Sequence, residues 1–78
     1  MVTIVKHVRE HEFIGDDESP VKGSYFYLQV IKDDGVKLDK RHFISEDRLA
    51  GFAFIPKAGD KVLVYASDGK IIDMLQDK

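Results

Sequence analysis

Apolar and polar side chains alternate along much of this chain with a period of two, the pattern of β-strands that bury one face. The longest alternating run covers residues 23–31, where Phe26, Leu28 and Val30 share one face. The opposite face carries mainly aromatic and polar side chains: Tyr25, Tyr27, Gln29 and Ile31. We predict that the first set lies in the core and that the second set forms an outer surface.

Four other segments have strand character. The first begins at Val2, is rich in β-branched residues and extends as far as Ile14, a length that requires a bend in so small a protein. Two sets of residues alternate along its first half: Val2, Ile4 and Val8 against Thr3, Val5, His7 and Arg9. The remaining three segments are 36–44, 60–66 and 71–75.

The segment 36–44 is expected to supply the neighbouring part of the outer surface. Its apolar residues Val36, Leu38 and Ile44 mark an inner face that also includes His42. The alternate positions then point outward: Lys37, Asp39, Arg41 and Phe43. A bulge near Lys40 would reverse this assignment.

Turn and helix signals separate the strands. Residues 15–20 contain three consecutive acids flanked by Gly, Ser and Pro, which predicts an exposed loop. Asp34-Gly35 predicts a type I′ hairpin turn, and Asp68-Gly69 predicts a second hairpin turn. Residues 45–51 predict a helix of one to two turns that begins at Ser45, and residues 52–55 are either a short extended piece or apolar residues that dock this helix.

This order of elements predicts a mainly β fold, a small five-stranded barrel with one short helix between strands 3 and 4, in a single domain covering residues 1–78. Five strands with a helix in that place is the arrangement of the OB-fold. An SH3-like barrel is the alternative, with residues 15–20 as its long first loop.

Composition narrows the classes of function. The chain has no cysteine, so a disulfide framework and a thiolate metal site are excluded, and a reducing cytoplasm is the expected location. No apolar run reaches the length of a membrane span. Fourteen acidic against twelve basic residues weaken a nucleic-acid interpretation, although the placement of the basic residues matters more than their sum.

The element order resembles that of small OB-fold proteins that phages and plasmids use to coat single strands. Two stretches contribute to the resemblance: Lys22-Gly23-Ser24-Tyr25 at the start of the second strand and Pro56-Lys57-Ala58-Gly59-Asp60-Lys61-Val62 at the entry to the fourth. The resemblance implies single-stranded DNA or RNA lying across strands 2 and 3. The low overall basicity and the acidic loop 15–20 depart from that family's pattern.

Five residues form the candidate binding site on strands 2 and 3: Tyr25, Tyr27, Lys37, Arg41 and Phe43. Aromatic side chains that stack bases, with cations beside them for the phosphates, are what binding of single strands requires. We expect the protein to be a homo-oligomer. The same aromatic residues could instead close the interface between its copies, cover a second small core, or bind a protein partner, as in an adaptor or accessory subunit that uses this face or an open strand edge.

Other candidate sites have simpler explanations. His7 and His11 lie too far apart on a strand to bind one metal ion. The acids of residues 16–18 lack the ligand spacing of a calcium loop, so no metal or other cofactor is expected. Lys32, Lys37, Lys40 and Arg41 are interrupted by aspartates and suit a solvated hairpin. Because no nucleophile elbow or phosphate-binding glycine loop is present, we expect a binding protein that is not an enzyme.

Overall fold

Five antiparallel strands and one short helix make up the fold in a computed structural model, which describes residues 1–77. In chain order the elements are β1 (Val2–Ile14), β2 (Pro20–Ile31), β3 (Lys37–Ser45), α1 (Glu46–Leu49), β4 (Lys61–Ser67) and β5 (Lys70–Gln76). The strands form one sheet in the order β3-β2-β1-β4-β5. The predicted mainly β fold with a short helix between the third and fourth strands is confirmed.

The sheet bends over a single core but is not closed. Within residues 1–77, β3 and β5 are its two edge strands and do not pair with each other. Side chains from both halves nevertheless share one buried cluster: Val5, Phe26, Leu28, Ile44, Val62, Ile71 and Met74. A closed barrel therefore stays a prediction, whereas the assignment of Phe26 and Leu28 to the core is confirmed.

A bulge in β1 changes which of its side chains face the core. Val5 pairs with Leu28 and the next pair is His7 with Tyr27, so Lys6 is an extra residue without a partner on β2. Val5 is completely buried, and Val8 packs against the same core. The prediction that Val5 and Val8 lie on opposite faces of β1 is therefore wrong, because the bulge shifts the alternation by one residue between them. No such shift occurs along β3, whose register with β2 is continuous.

The two Asp-Gly turns differ. Asp68 and Gly69 both have positive φ, +52° and +77°, as a two-residue type I′ hairpin requires. In the first hairpin only Gly35 has positive φ, +87°. The Gly35 N–H donates a hydrogen bond to the Lys32 carbonyl, and the Lys32 N–H donates to the Val36 carbonyl. The predicted type I′ turn at Asp34-Gly35 is therefore wrong, and the glycine follows the turn in a longer loop.

The segment after β3 covers one side of the core. The Ser45 side chain accepts a hydrogen bond from the Arg48 N–H and begins α1, as predicted. The Arg48 guanidinium donates to the carbonyl of Ile71, which ties this single turn to β5. Phe52 and Phe54 pack against the core as docking residues and form no strand. No helix within residues 1–77 is both long and apolar enough to cross a membrane.

His42 lies on the inner face of β3, half-buried opposite Phe26. Burial lowers the pKa of His42, and the charge of Lys40 lowers it further. The unfolded chain therefore binds this proton more tightly than the folded chain does. It follows that His42 favours folding above the ordinary histidine pKa of about 6.5, and that this contribution is lost as the pH falls through the lower folded-state value.

We expect the free energy of unfolding to fall between about pH 7.5 and about pH 5.5, because protonation of His42 stabilises the unfolded chain. Urea unfolding at both pH values measures the change. His42→Gln should reduce the difference between the two pH values. Lys40→Gln, which removes the smaller cause of the shift, should reduce it partway. An unchanged pH dependence in His42→Gln would contradict this role.

Candidate functional site

Aromatic side chains gather on the outer face of β2 and β3. Tyr25 pairs across the strands with Phe43, and Tyr27 pairs with Arg41. The ring centroids of Tyr25 and Phe43 are 5.2 Å apart, and those of Tyr25 and Tyr27 are 6.5 Å apart. The structure thus brings together four of the five residues that the sequence nominates.

Lys37 is on the same face but outside this group. It pairs with Ile31 near the other end of β3, four residues from Arg41 and therefore about 13 Å along the strand. Asp39 lies between Lys37 and Arg41 on that face, so Lys37 is not positioned to act with the aromatic rings.

The central strand β1 adds four side chains that the sequence-based site lacks. His7 lies beside Tyr27, and His11 lies beside Tyr25, with ring centroids 5.5 Å and 5.4 Å apart. Phe13 meets Phe43 edge-on at 5.3 Å. We call the whole surface the aromatic face: His7, Arg9, His11, Phe13, Tyr25, Tyr27, Arg41 and Phe43. The sequence could have indicated these four residues, because 7, 9, 11 and 13 are alternate positions of a strand that runs to Ile14.

Gly23 makes contact between β1 and β3 possible across the strand that separates them. It lies on β2 opposite Ser45 of β3 and His11 of β1. A Cβ atom there would come 2.6 Å from Cζ of the Phe43 ring and 2.8 Å from Cα of Ser45. The Phe43 ring thus occupies the space that a side chain at residue 23 would need, and from there it reaches Phe13.

Two cations flank the central ring of the face. The guanidinium carbons of Arg9 and Arg41 are 5.5 Å and 4.9 Å from the centroid of Tyr25, within the range of cation–π attraction. In the part of the chain that the structure describes, neither arginine forms an ion pair with a carboxylate. These two guanidinium groups, one from each strand that neighbours β2, leave a positive region around the Tyr25 ring that an anion can neutralise.

Acidic side chains of the same strand lie on the other side of the sheet. Glu10 and Glu12 alternate with Arg9 and His11 along β1. They line a hollow together with Glu46 and Lys22, and His11 borders the same hollow. The chain carries a net charge of −2, yet the charged residues of the aromatic face are Arg9 and Arg41, and the acid beside them on the same side of β3 is Asp39. Strand geometry, and not overall composition, therefore determines the charge of this surface.

The site has no features of a metal centre. Among residues 1–77, no group of three or more His, Cys, Asp or Glu side chains is placed to hold a metal ion. His7 and His11 instead contact tyrosine rings. The chemistry available on this face is stacking against planar groups and attraction of anions.

Gly23→Ala should destabilise the protein, because its Cβ would collide with the β3 backbone at the Ile44 carbonyl and at Ser45. We expect a loss of about 1–3 kcal/mol in the free energy of unfolding, the range for a group forced into a packed region. Chemical denaturation measures it.

Gly51→Ala is the matched control, since the nearest atom to a Cβ at residue 51 is the Arg48 carbonyl oxygen at 3.5 Å. Its effect should stay within about 0.5 kcal/mol. Equal effects of the two substitutions would show that β2 and β3 do not approach closely at Gly23.

Comparison with known proteins adds no assignment to this geometry. The chain matches no protein-family model, no curated protein and no solved structure.

Proposed function

We propose that this protein binds single-stranded nucleic acid on the aromatic face and carries out no chemical reaction. The observation that supports this most directly is Tyr25, a partly buried ring in contact with Tyr27 and Phe43 and flanked by two arginines. Unpaired bases expose planar π-faces, and each nucleotide carries a phosphate. A surface that offers rings and guanidinium groups together matches both features.

The spacing of the rings supports an extended single strand as the ligand. A path from Tyr27 through Tyr25 and Phe43 to Phe13 has centroid steps of 6.5, 5.2 and 5.3 Å. These steps exceed the spacing of about 3.4 Å per nucleotide along a stacked strand, so the bases must spread apart to meet successive rings. Four rings suit a site of about four nucleotides, at the lower end of the range for OB-fold domains.

The architecture we propose alongside this function is an OB-type barrel. That fold is a partly open five-stranded Greek-key barrel whose second and third strands carry part of its binding surface. The short helix between β3 and β4, the shared core of both sheet halves and the position of the aromatic face on β1–β3 support this assignment.

A protein-binding adaptor is the second candidate. Both β3 and β5 are free edges, which can accept a strand from another chain. β4 and β5 also expose three large apolar side chains, Leu63, Tyr65 and Ile72. A partner bound there would leave the aromatic face uncovered, so substitutions on the two halves of the sheet distinguish the candidates.

The test is fluorescence anisotropy with a labelled oligonucleotide of about 12 nucleotides, within the size range of such sites. Binding should be measurable at about 50 mM salt and should weaken as salt rises, because phosphate contacts release counterions. Tyr27→Ala should reduce affinity about 5- to 150-fold, since a stacked base contributes about 1–3 kcal/mol.

Tyr65→Ala is the matched control, because Tyr65 is an exposed tyrosine on β4, in the other half of the sheet. Its affinity should equal that of the unmodified protein. Absence of binding at low salt overturns the proposal. Equal losses in Tyr27→Ala and Tyr65→Ala would place the binding surface elsewhere.

A further inference from the structure

A groove separates the two edge strands on the inner side of the sheet. Its volume is about 480 Å³, within the usual range of binding pockets. Apolar side chains from both halves of the sheet line it: Leu28, Val62 and Ile71 belong to the buried core, and Val30 and Val64 are less buried. The ionisable side chains Lys40 and His42 also line it, and no carboxylate does among the residues that the structure describes. The groove therefore suits an occupant with both apolar and acidic groups.

The turn between β1 and β2 has that combination. Ile14 is 66% exposed at the end of β1, and the acidic side chains of Asp16, Asp17 and Glu18 follow it, all exposed. The turn is held in one shape by hydrogen bonds from Gly15 N–H to the Ser19 carbonyl and from Ser19 N–H to the Asp17 carboxylate, 2.9 and 3.1 Å long. An ordered turn loses little conformational entropy when it binds.

The turn cannot reach the groove of its own chain. Thr3 of β1 lines the groove, and Ile14 lies eleven residues further along the same strand, which corresponds to a strand length of at most about 36 Å. The longest dimension of the molecule is 45 Å, so the two features lie toward opposite ends of it. Contact between them requires two copies of the chain.

We propose that the β1–β2 turn of one copy docks into the groove between β3 and β5 of the next. Ile14 contacts the apolar lining, and the carboxylates of the turn face the ammonium group of Lys40. Because the two contacting surfaces differ, a first contact leaves a free groove on one copy and a free turn on the other. Further copies add at these free surfaces, head to tail, and the assembly becomes a closed ring or an open filament. This contact is independent of the proposed nucleic-acid site, which lies on the outer side of the sheet.

The experiment measures molar mass against protein concentration by sedimentation, without nucleic acid. The unmodified chain should assemble as concentration rises. Assembly should weaken when salt is raised from about 0.1 M to about 1 M, which shortens the screening length from about 10 Å to about 3 Å. A chain that stays monomeric at every concentration leaves the groove to another partner and overturns the proposal.

Charge reversal identifies the two surfaces. Lys40→Glu should be monomeric, and so should the double variant Asp16→Lys/Glu18→Lys, which keeps Asp17 to hold the turn. A mixture of the two variants should assemble again, because every contact between them pairs opposite charges. Circular dichroism of each variant confirms that it is folded.

Lys57→Glu is the control, since Lys57 is exposed, changes the net charge equally and does not line the groove. It should assemble like the unmodified chain. Assembly of Lys40→Glu alone, or failure of the mixed variants to assemble, overturns the assignment of the groove and the turn.

Discussion

The register of β1 against β2 is the constraint on which the rest of the structure depends. β1 is the central strand, and its residue Lys6 has no partner on β2 and forms a bulge. Before the bulge, Val5 enters the core; after it, His7 points outward toward Tyr27. If Lys6 took part in the regular alternation and there were no bulge, a strict period of two would turn Arg9 into the core and Glu10 out toward the tyrosines. Because the bulge takes Lys6 out of the alternation, Val5 and Val8 both face the core, and His7 and Arg9 both lie on the aromatic face.

This arrangement explains how a slightly acidic chain can present a surface suited to an anionic ligand. Glu10 and Glu12 are only one residue from Arg9 and His11 in sequence, but they lie on the other side of the sheet. Electrostatic attraction depends on the charges nearest the ligand, because those beyond about 10 Å are screened at ordinary salt. The acids of the β1–β2 turn lie at the tip of the hairpin, where we assign them a separate role between copies.

Sequence reasoning succeeded where the decisive interactions are local, and it failed where they depend on pairing. The burial of Phe26 and the start of α1 at Ser45 follow from alternation and from a capping side chain, so both were predictable. The bulge at Lys6 was not, since it is defined by which residues of β2 lie opposite. The distance of Lys37 from the aromatic rings was not predictable in the same way, because sharing a face does not fix the distance between two residues along a strand. The sequence did not indicate Phe13 as a neighbour of the aromatic rings. Its contact with Phe43 depends on the missing side chain at Gly23 and on the pairing of three strands, β1, β2 and β3.

We propose that a single strand of nucleic acid lies on the outer side of β1, β2 and β3. The most direct measurement is NMR titration of the isotopically labelled protein with an unlabelled oligonucleotide, following backbone and aromatic signals. We expect the largest shift changes at Tyr25, Tyr27, Phe43 and Arg9, with small changes along β4 and β5. Shift changes confined to β4, β5 or the groove between the edge strands, or no changes at all, would contradict the claim.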